Sequence, residues 1–419
     1  ERSLYLLNSS TKDNPQNLDI LFYGQSIIGG MKTNILVDSL QKRFPFTTIT
    51  YKHKPIGGFT LPNLIKTANH DVYQENPDLI IFHAYGGIKD GLYDELILNF
   101  RQRMTADVLL LDHHVWNKPE TNLNSINKSH EFESKVIKSI AEKYDCGFVD
   151  VRDQWKEYMQ NNAITANELM GNTIDSNVHP NDEGNALLRE IVLSKFPVQN
   201  QLEYDMGNDS LRHSIIYDNS IKDSTVAFTG NRVSLSAKSI TEEVILEIQI
   251  DGKKLSEFRS SYHISRPSKG YGTWMPAIRT LSLGSPFPQE ENWTITLHDI
   301  NRKAKTFQFT IEGSLTGFDG VGNSETDFIS DSKRIKLLKE EFYIFEIEKI
   351  FKNKTPEGFK ITFDVKQIVR DRVVLKDHFM NHMIFRGNAV DKHSLNIKFI
   401  KGDLEEIELM IFKPYVSTP

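Results

Sequence analysis

Cysteine is nearly absent from this sequence. The 419 residues include one, Cys146, so no disulfide can form within the chain. The absence of disulfides fits a cytosolic protein and, equally, an exported bacterial protein that does without them. At this length the chain exceeds one typical hydrophobic core, and we expect two or three domains.

Long apolar runs and a strong excess of either charge are also missing. No run approaches the roughly 20 apolar residues of a membrane span, so no span is predicted. The net charge is −6 with both signs interspersed, which argues against nucleic acid as the main partner, since nucleic acids select basic surfaces. A cleaved signal peptide would explain a start at Glu1 rather than Met, and so would a deliberately shortened chain.

The order of predicted elements divides the chain. A polar lead-in, residues 1–17, precedes a region at 18–198 in which short apolar runs alternate with helical patterns. This alternation predicts an α/β domain with right-handed crossovers and five parallel strands in flavodoxin-like order. The strands are expected at 19–23, 47–51, 79–84, 108–112 and 147–151.

After Pro197 the pattern changes to alternation with a period of two. Two all-β, sandwich-like modules are expected, 199–316 and 317–419, with their border in the Gly-rich stretch 313–322, although one large β-domain is an alternative. Asp251 and Gly252 stand between alternating segments, which predicts a hairpin. A further strand is expected at 342–350. Trp274 and Trp293 could stack on sugar rings, although aromatic residues of β-sandwiches more often belong to the core.

The stretch 18–30 predicts a reactive serine. An apolar run ends abruptly at Gly24, Gln25 and Ser26 follow, and helical spacing begins a few residues later. A serine at the carboxyl end of a parallel strand lies where open α/β sheets carry their ligands. The alternative is a plain turn whose serine caps a helix.

A second stretch near the end of the α/β region could supply a base. His179 stands in a loop, followed by proline and a helix start, and Asp175 precedes it by four residues. Ser26 as nucleophile, His179 as base and Asp175 as the group that orients the base would form a catalytic triad.

Three other strand ends carry candidate site residues. Gly57 and Gly58 follow the second strand, where Gly58 could donate its N–H to an oxyanion. His83 and Tyr85 end the third strand and could line the site. The fourth strand is followed by His113, His114 and Trp116, which are predicted to form a wall of the substrate pocket. No metal site is predicted from the two histidines, because adjacent residues of an extended chain point to opposite faces.

The order of these motifs resembles the SGNH (GDSL-like) hydrolases over residues 18–196. Gly24-Gln25-Ser26 matches the family's Gly-Asp-Ser with Gln for Asp, and Ile56 to Thr60 is similar to its second block. The resemblance implies a flavodoxin-like esterase whose oxyanion donors are the N–H groups of Ser26 and Gly58. The family's third-block asparagine is absent, with Tyr85 nearest its position, so the Tyr85 hydroxyl, His83 or another donor would replace it.

The triad acid is the second departure from the family. The family's acid lies three residues before the histidine, where this chain has Ser176. Either the loop bulges to bring Asp175 to His179, or a backbone carbonyl orients the ring.

Together these expectations describe a serine esterase that removes O-acetyl or related acyl groups from a polysaccharide or oligosaccharide. No cofactor is implied, and the oligomeric state is left open. The resemblance favours an exported protein, periplasmic or extracellular in a bacterium. The alternatives are acyl transfer to a sugar, glycosidic cleavage by carboxylates such as Asp175 and Asp112, and a non-catalytic carbohydrate-binding protein.

Overall fold

The structure is a computed structural model, and it describes residues 1–116, 123–171, 178–199, 209–218, 224–237, 240, 242–285, 288–376, 381–404 and 406–415. The chain forms two compact units. The first comprises Glu1–Arg101 and Ala106–Met206, and the second comprises Gln102–Thr105 and Gly207–Pro419.

Strands and helices alternate from the start of the chain to the end of the α/β region. In chain order they are α1 (Arg2–Ser9), β1 (Gln16–Gly24), α2 (Ser26–Gly30), α3 (Thr33–Arg43), β2 (Thr47–Pro55), α4 (Leu61–Asp71), β3 (Leu79–His83), α5 (Leu92–Arg103), β4 (Asp107–Leu111), α6 (Leu123–Lys143), β5 (Gly147–Val149), α7 (Val151–Asn161) and α8 (Asp182–Leu193).

The sheet of the first unit has the strand order β2-β1-β3-β4-β5, and every neighbouring pair is parallel. This is the flavodoxin-like order that the alternation predicts. The register places Gly24 of β1 opposite Pro55 of β2 and opposite His83 of β3. The turns that follow these three strands therefore lie at one edge of the sheet.

Helices cover both faces of this sheet, because alternate strand residues point to opposite sides and the residues on both sides of β1 are buried. Ile20 and Phe22 belong to a core that also holds residues of α1, α2, α3, α7 and α8. Tyr23 and Phe82 face the other way, where the Tyr23 hydroxyl donates to Leu64 O of α4 and Phe82 contacts Phe100 of α5. The segment 1–17, predicted as a polar lead-in, instead contributes helix α1, whose Leu6 and Leu7 are buried in this core.

The second unit is built almost entirely of antiparallel strands. Its elements are β6 (Arg212–Asp218), β7 (Val226–Ser236), β8 (Val244–Ile250), β9 (Lys253–Lys254), β10 (Tyr262–Ile264), β11 (Ser282–Leu283), β12 (Glu291–Asn301), β13 (Thr306–Gly313), β14 (Gly317–Asn323), β15 (Phe328–Ile329), β16 (Ile335–Leu337), α9 (Ile344–Phe351), β17 (Lys360–Gln367), β18 (Arg372–Leu375), β19 (Asn381–Lys401) and β20 (Glu406–Phe412).

Strand pairing in this unit does not run module by module along the chain. One sheet, β18-β8-β19-β7-β20-β6, joins strands from both ends of the unit. The segment between them forms the sheets β10-β17-β12-β13-β14 and β11-β16-β15, which share one core. The stretch 313–322, predicted as a border between modules, is instead the hairpin that joins β13 to β14. One β-region is therefore inserted within the other, and strands from either side of residue 316 share both larger sheets.

Two local predictions in the second unit have opposite outcomes. Asp251 and Gly252 form the predicted two-residue hairpin between β8 and β9, both with positive φ, as a type I′ turn requires. The strand expected at 342–350 is wrong, since this segment forms helix α9. Ile344 and Ile347 are both buried there, three residues apart on one helix face. Among the described residues, each helix lacks either the length or the apolar character required to cross a bilayer.

Candidate active site

Ser26 opens helix α2 immediately after β1. Gly24 makes this turn possible: its φ is +144°, and a Cβ there would lie 2.1 Å from the carbonyl oxygen of His83. Only glycine tolerates both conditions. The turn leaves Ser26 half-buried, whereas Gln25 is 4% exposed.

His179 lies beside this serine although 153 residues separate them in sequence. Its Nε2 is 2.9 Å from Ser26 Oγ, and the histidine is exposed. Backbone contacts hold its loop: Gly171 N–H donates to His179 O at 3.1 Å, and Met170 pairs with Pro180. The structure thus brings together the two groups that the sequence predicts as nucleophile and base. Asp175, the predicted third member, lies outside the described residues.

The Gly57-Gly58 turn lies next to the serine turn. Ile56 N–H donates to Gly24 O at 2.9 Å, which ties the end of β2 to the end of β1. Gly58 has a φ of +82°, in the left-handed region that favours glycine. This placement keeps Gly58 as the candidate second oxyanion donor.

A hydrogen-bonded chain leads from Ser26 into the protein interior. Ser26 Oγ is 2.6 Å from Gln25 Oε1, and Gln25 Nε2 is 3.1 Å from His83 Nδ1. His83 Nε2 is 3.0 Å from His113 Nδ1, and His113 Nε2 is 3.0 Å from Glu133 Oε2. Five side chains therefore connect the surface of the site to helix α6.

The three histidines predicted at strand ends are interior groups. His83, His113 and His114 are each 1% exposed or less, so in this structure they offer no surface to a substrate, contrary to the pocket wall expected from the sequence. Burial lowers the pKa of each ring well below the usual histidine value, because a charged ring would lose its hydration. Neighbouring histidines add to this effect, and all three rings are neutral near pH 7.

His114 has a separate contact from the other two histidines. Its Nε2 is 3.1 Å from the carbonyl oxygen of Val178, the residue before His179. Because a carbonyl accepts, His114 Nε2 carries a proton and donates it. His114 therefore fixes the loop that presents the candidate base.

Tyr85 and Trp116 form an aromatic group around this interior chain. Trp116 Nε1 donates to the Tyr85 hydroxyl at 3.0 Å, and the Tyr85 ring stacks on His130 with 5.1 Å between centroids. Both side chains are half-buried. Burial raises the pKa of the Tyr85 hydroxyl, which keeps it protonated at neutral pH.

Two buried charged residues support the ends of β4 and β5. Asp112 Oδ1 accepts the N–H groups of Val151, at 2.6 Å, and Arg152, at 3.1 Å. Arg152 in turn donates to the carbonyls of His113 and His114. Burial raises the pKa of the Asp112 carboxyl to about 7. Among the described residues, no group of three or more His, Cys, Asp or Glu side chains is arranged to hold a metal ion.

Sequence reasoning missed Glu133 and Arg152. Arg152 is the second residue of α7, which begins shortly after β5 at the edge of the sheet where site residues gather. Glu133 lies in the middle of helix α6, and no sequence pattern there distinguishes it from a solvent-facing helix carboxylate.

Comparison with known proteins gives a limited result. No model of a known protein family matches the chain, and no curated protein matches it. Solved structures that match part of this chain include an acetylxylan esterase from Geobacillus stearothermophilus. The match has 19% sequence identity and a TM-score of 0.37, and it covers 45% of this chain and 99% of that one. A catalytic mutant of that enzyme gives 18% and 0.38 over the same shares.

A second acetyl xylan esterase, AlAXEase, covers 42% of this chain and 99% of its own, at 19% identity and a TM-score of 0.37. At these identities and TM-scores, the likeness gives no information about the function of this protein. The strand order and the contacts of Ser26 define the fold and the candidate site.

Proposed function

We propose that this protein is a serine esterase that removes acetyl or related acyl groups from a polysaccharide or oligosaccharide. The observation that carries the proposal is the contact of 2.9 Å between Ser26 Oγ and His179 Nε2 at the carboxyl edge of a parallel sheet. A hydroxyl next to an imidazole is the arrangement that turns a weak nucleophile into an effective one.

The mechanism follows from this geometry. His179 Nε2 accepts the Ser26 proton as Oγ attacks the ester carbonyl, and the ring then gives that proton to the leaving alcohol. The N–H of Ser26 has no acceptor within its own helix, because it belongs to the first residue of α2. Together with the N–H of Gly58 it would hold the negative oxygen of the tetrahedral intermediate. Water activated by His179 then releases the acyl group.

The group that orients His179 has two candidates. Asp175 precedes His179 by four residues, and the other candidate is a backbone carbonyl. A substitution Asp175→Asn distinguishes them, because a carboxylate that stabilises the imidazolium contributes strongly to turnover, whereas a bystander contributes nothing.

The alternative of glycosidic cleavage by paired carboxylates is less well supported. Asp112 is 2% exposed, and its carboxylate is committed to two backbone N–H groups at the start of α7. A group so enclosed does not reach a glycosidic oxygen. Acyl transfer to a sugar uses the same serine and differs in the final acceptor.

A substrate panel tests the proposal. An aryl acetate and an acetylated polysaccharide are incubated with the protein, and free acetate and new reducing ends are both measured. We expect acetate without new reducing ends. New reducing ends would indicate a glycosidase, acyl groups appearing on an added sugar would indicate a transferase, and absence of all three with intact sugar binding would indicate a binding protein. Because the proposed substrate is a polymer outside the cell, we also propose that the protein is exported. Detection of the protein in separated cytoplasmic, periplasmic and extracellular fractions of the cells that produce it tests this.

A further inference from the structure

The interior chain behind Ser26 has a direction that its end group determines. Glu133 ends the chain with a carboxylate, which can accept hydrogen bonds and cannot donate them. Ser129 Oγ donates to Glu133 Oε1 at 3.0 Å, so Oε2 is the oxygen that faces His113. The Glu133 side chain is 14% exposed, which shields the contact from water.

Each earlier member of the chain follows from that end. His113 must donate from Nε2 to the carboxylate, and a neutral ring then has an acceptor at Nδ1. His83 must donate from Nε2 to that acceptor, which leaves its own Nδ1 as an acceptor. Both rings are neutral, since burial lowers the pKa of each. Both histidines are therefore protonated at Nε2.

The same logic orients the amide of Gln25. His83 Nδ1 needs a donor, so the amide nitrogen of Gln25 faces it and the amide oxygen faces Ser26. Amide oxygen and nitrogen look alike in shape, and the hydrogen-bond network decides between them. Ser26 Oγ then lies between two groups: Gln25 Oε1 at 2.6 Å and His179 Nε2 at 2.9 Å.

We infer that Glu133 is a positioning residue for the nucleophile, acting on Ser26 through His113, His83 and Gln25. The inference rests on the proposed serine mechanism. The carboxylate determines that the amide oxygen of Gln25, rather than its nitrogen, contacts the serine. This contact holds Oγ in place before attack. Rotation about the Cβ–Oγ bond then turns the serine O–H from Gln25 Oε1 to His179 Nε2, without displacement of the oxygen.

Nitrogen-15 NMR of the imidazole rings tests the direction of the chain without any substrate. In the wild-type protein we expect His83 and His113 to be neutral and protonated at Nε2. In Glu133→Met, which keeps the length of the side chain and removes the acceptor, the signals of both rings should lose this tautomer. Protonation at Nδ1 of His83, or a charged His113, in the wild-type protein would overturn the inference, because either reverses the chain.

Kinetics test the consequence. Glu133→Met should lower kcat on an aryl acetate by about ten- to hundredfold at unchanged KM, since a displaced nucleophile attacks poorly without weaker binding. Glu133→Gln should keep kcat within about threefold, because its amide oxygen still accepts from His113. Glu142→Met, an exposed substitution on the same helix, is the matched control for effects on helix α6.

The experiments distinguish failure of the positioning role of Glu133 from failure of the proposed serine mechanism. If Ser26→Ala keeps full turnover, the serine mechanism is wrong, whatever the histidine tautomers are. If Ser26→Ala is inactive but Glu133→Met has wild-type kcat, the esterase proposal stands and the positioning role is wrong. A Glu133→Gln variant as slow as Glu133→Met would also contradict it, because that would assign the loss to charge rather than to accepting.

Discussion

Two glutamates with little exposed surface, one in each unit, show when an enclosed carboxylate points to function. Glu291 of the second unit is 4% exposed, and its oxygens accept the N–H groups of Leu315 and Thr316 and the Thr316 hydroxyl. All of these contacts close the hairpin between β13 and β14. Glu133 of the first unit instead ends a chain of side chains that reaches Ser26. Low exposure does not by itself separate a structural glutamate from one that points to function, whereas the destination of its hydrogen bonds does.

The largest expected effect in this comparison is on Ser26. Ser26→Ala should lower kcat on an aryl acetate at least about 10³-fold, because the proposed acyl-enzyme forms on the Ser26 hydroxyl. His179→Ala should cost about as much, and the double variant should be no worse than either, since the two residues act as one unit. Steady-state kinetics measure all three variants.

The control for this prediction is Ser39→Ala. Ser39 lies on α3 with its hydroxyl donating to Ile35 O, away from the site. It should keep wild-type kcat. Additive losses in the Ser26 and His179 double variant would show that the two side chains do not act together.

Glu291→Leu should affect stability and leave catalysis alone. Removing the carboxylate leaves the three partly buried donors without their acceptor, and we expect a loss of about 1–3 kcal/mol in the free energy of unfolding of the second unit. Urea denaturation followed by tryptophan fluorescence measures this loss, and kcat per folded molecule should stay unchanged. A fall in kcat without a fall in stability would contradict the purely structural role assigned to Glu291.

Acid should destabilise the first unit through its buried histidines. The pKa values of His83, His113 and His114 are lowered in the fold, so the unfolded chain binds protons that the folded chain does not as the pH falls below about 6.5. Each such ring contributes stability that is complete above that pH and is lost below it, by about 1.4 kcal/mol per pH unit.

Asp112 opposes this trend, since burial raises the pKa of its carboxyl to about 7 and so makes the fold less stable as the pH rises from about 4 to about 7. Urea denaturation at about pH 5.5 and about pH 7.5 should therefore show lower stability in acid, with a larger difference in Asp112→Asn. An equal or smaller difference in the variant would contradict the shifted carboxyl.

The smallest expected effect is on His114. His114→Leu removes the donor to Val178 O and should lower kcat about tenfold, because the loop that presents His179 loses one buried hydrogen bond. His114→Gln can still donate from its amide and should recover most of that loss. Equal activity of the Leu variant and the wild-type protein would show that the loop is held by its backbone contacts alone.

The first unit was largely predictable because its signals are local. The five strands and their order follow from short apolar runs that alternate with helical patterns. His179 follows no strand, and it was placed near Ser26 because it stands in a loop just before the last helix of the α/β region. The Asp251-Gly252 hairpin was predictable for the same reason, since the two residues define the turn by themselves.

What could not be predicted depends on contacts far apart in sequence. The pairing of β8 with β18 and β19 joins residues more than a hundred positions apart, so the β-region looked like two consecutive modules. Helix α9 carries aromatic and β-branched residues that favour strands, and the burial of Ile344 and Ile347 decides the outcome. The interior role of His83 and His113 requires Glu133, which lies on a helix without a motif.

A serine-directed fluorophosphonate probe tests the central claim most directly. The claim predicts that the probe modifies Ser26, identified by mass spectrometry of the digested protein, and that esterase turnover disappears in proportion to labelling. His179→Ala should label far more slowly than the wild-type protein. An unmodified Ser26 in a protein that still hydrolyses an aryl acetate would contradict the account.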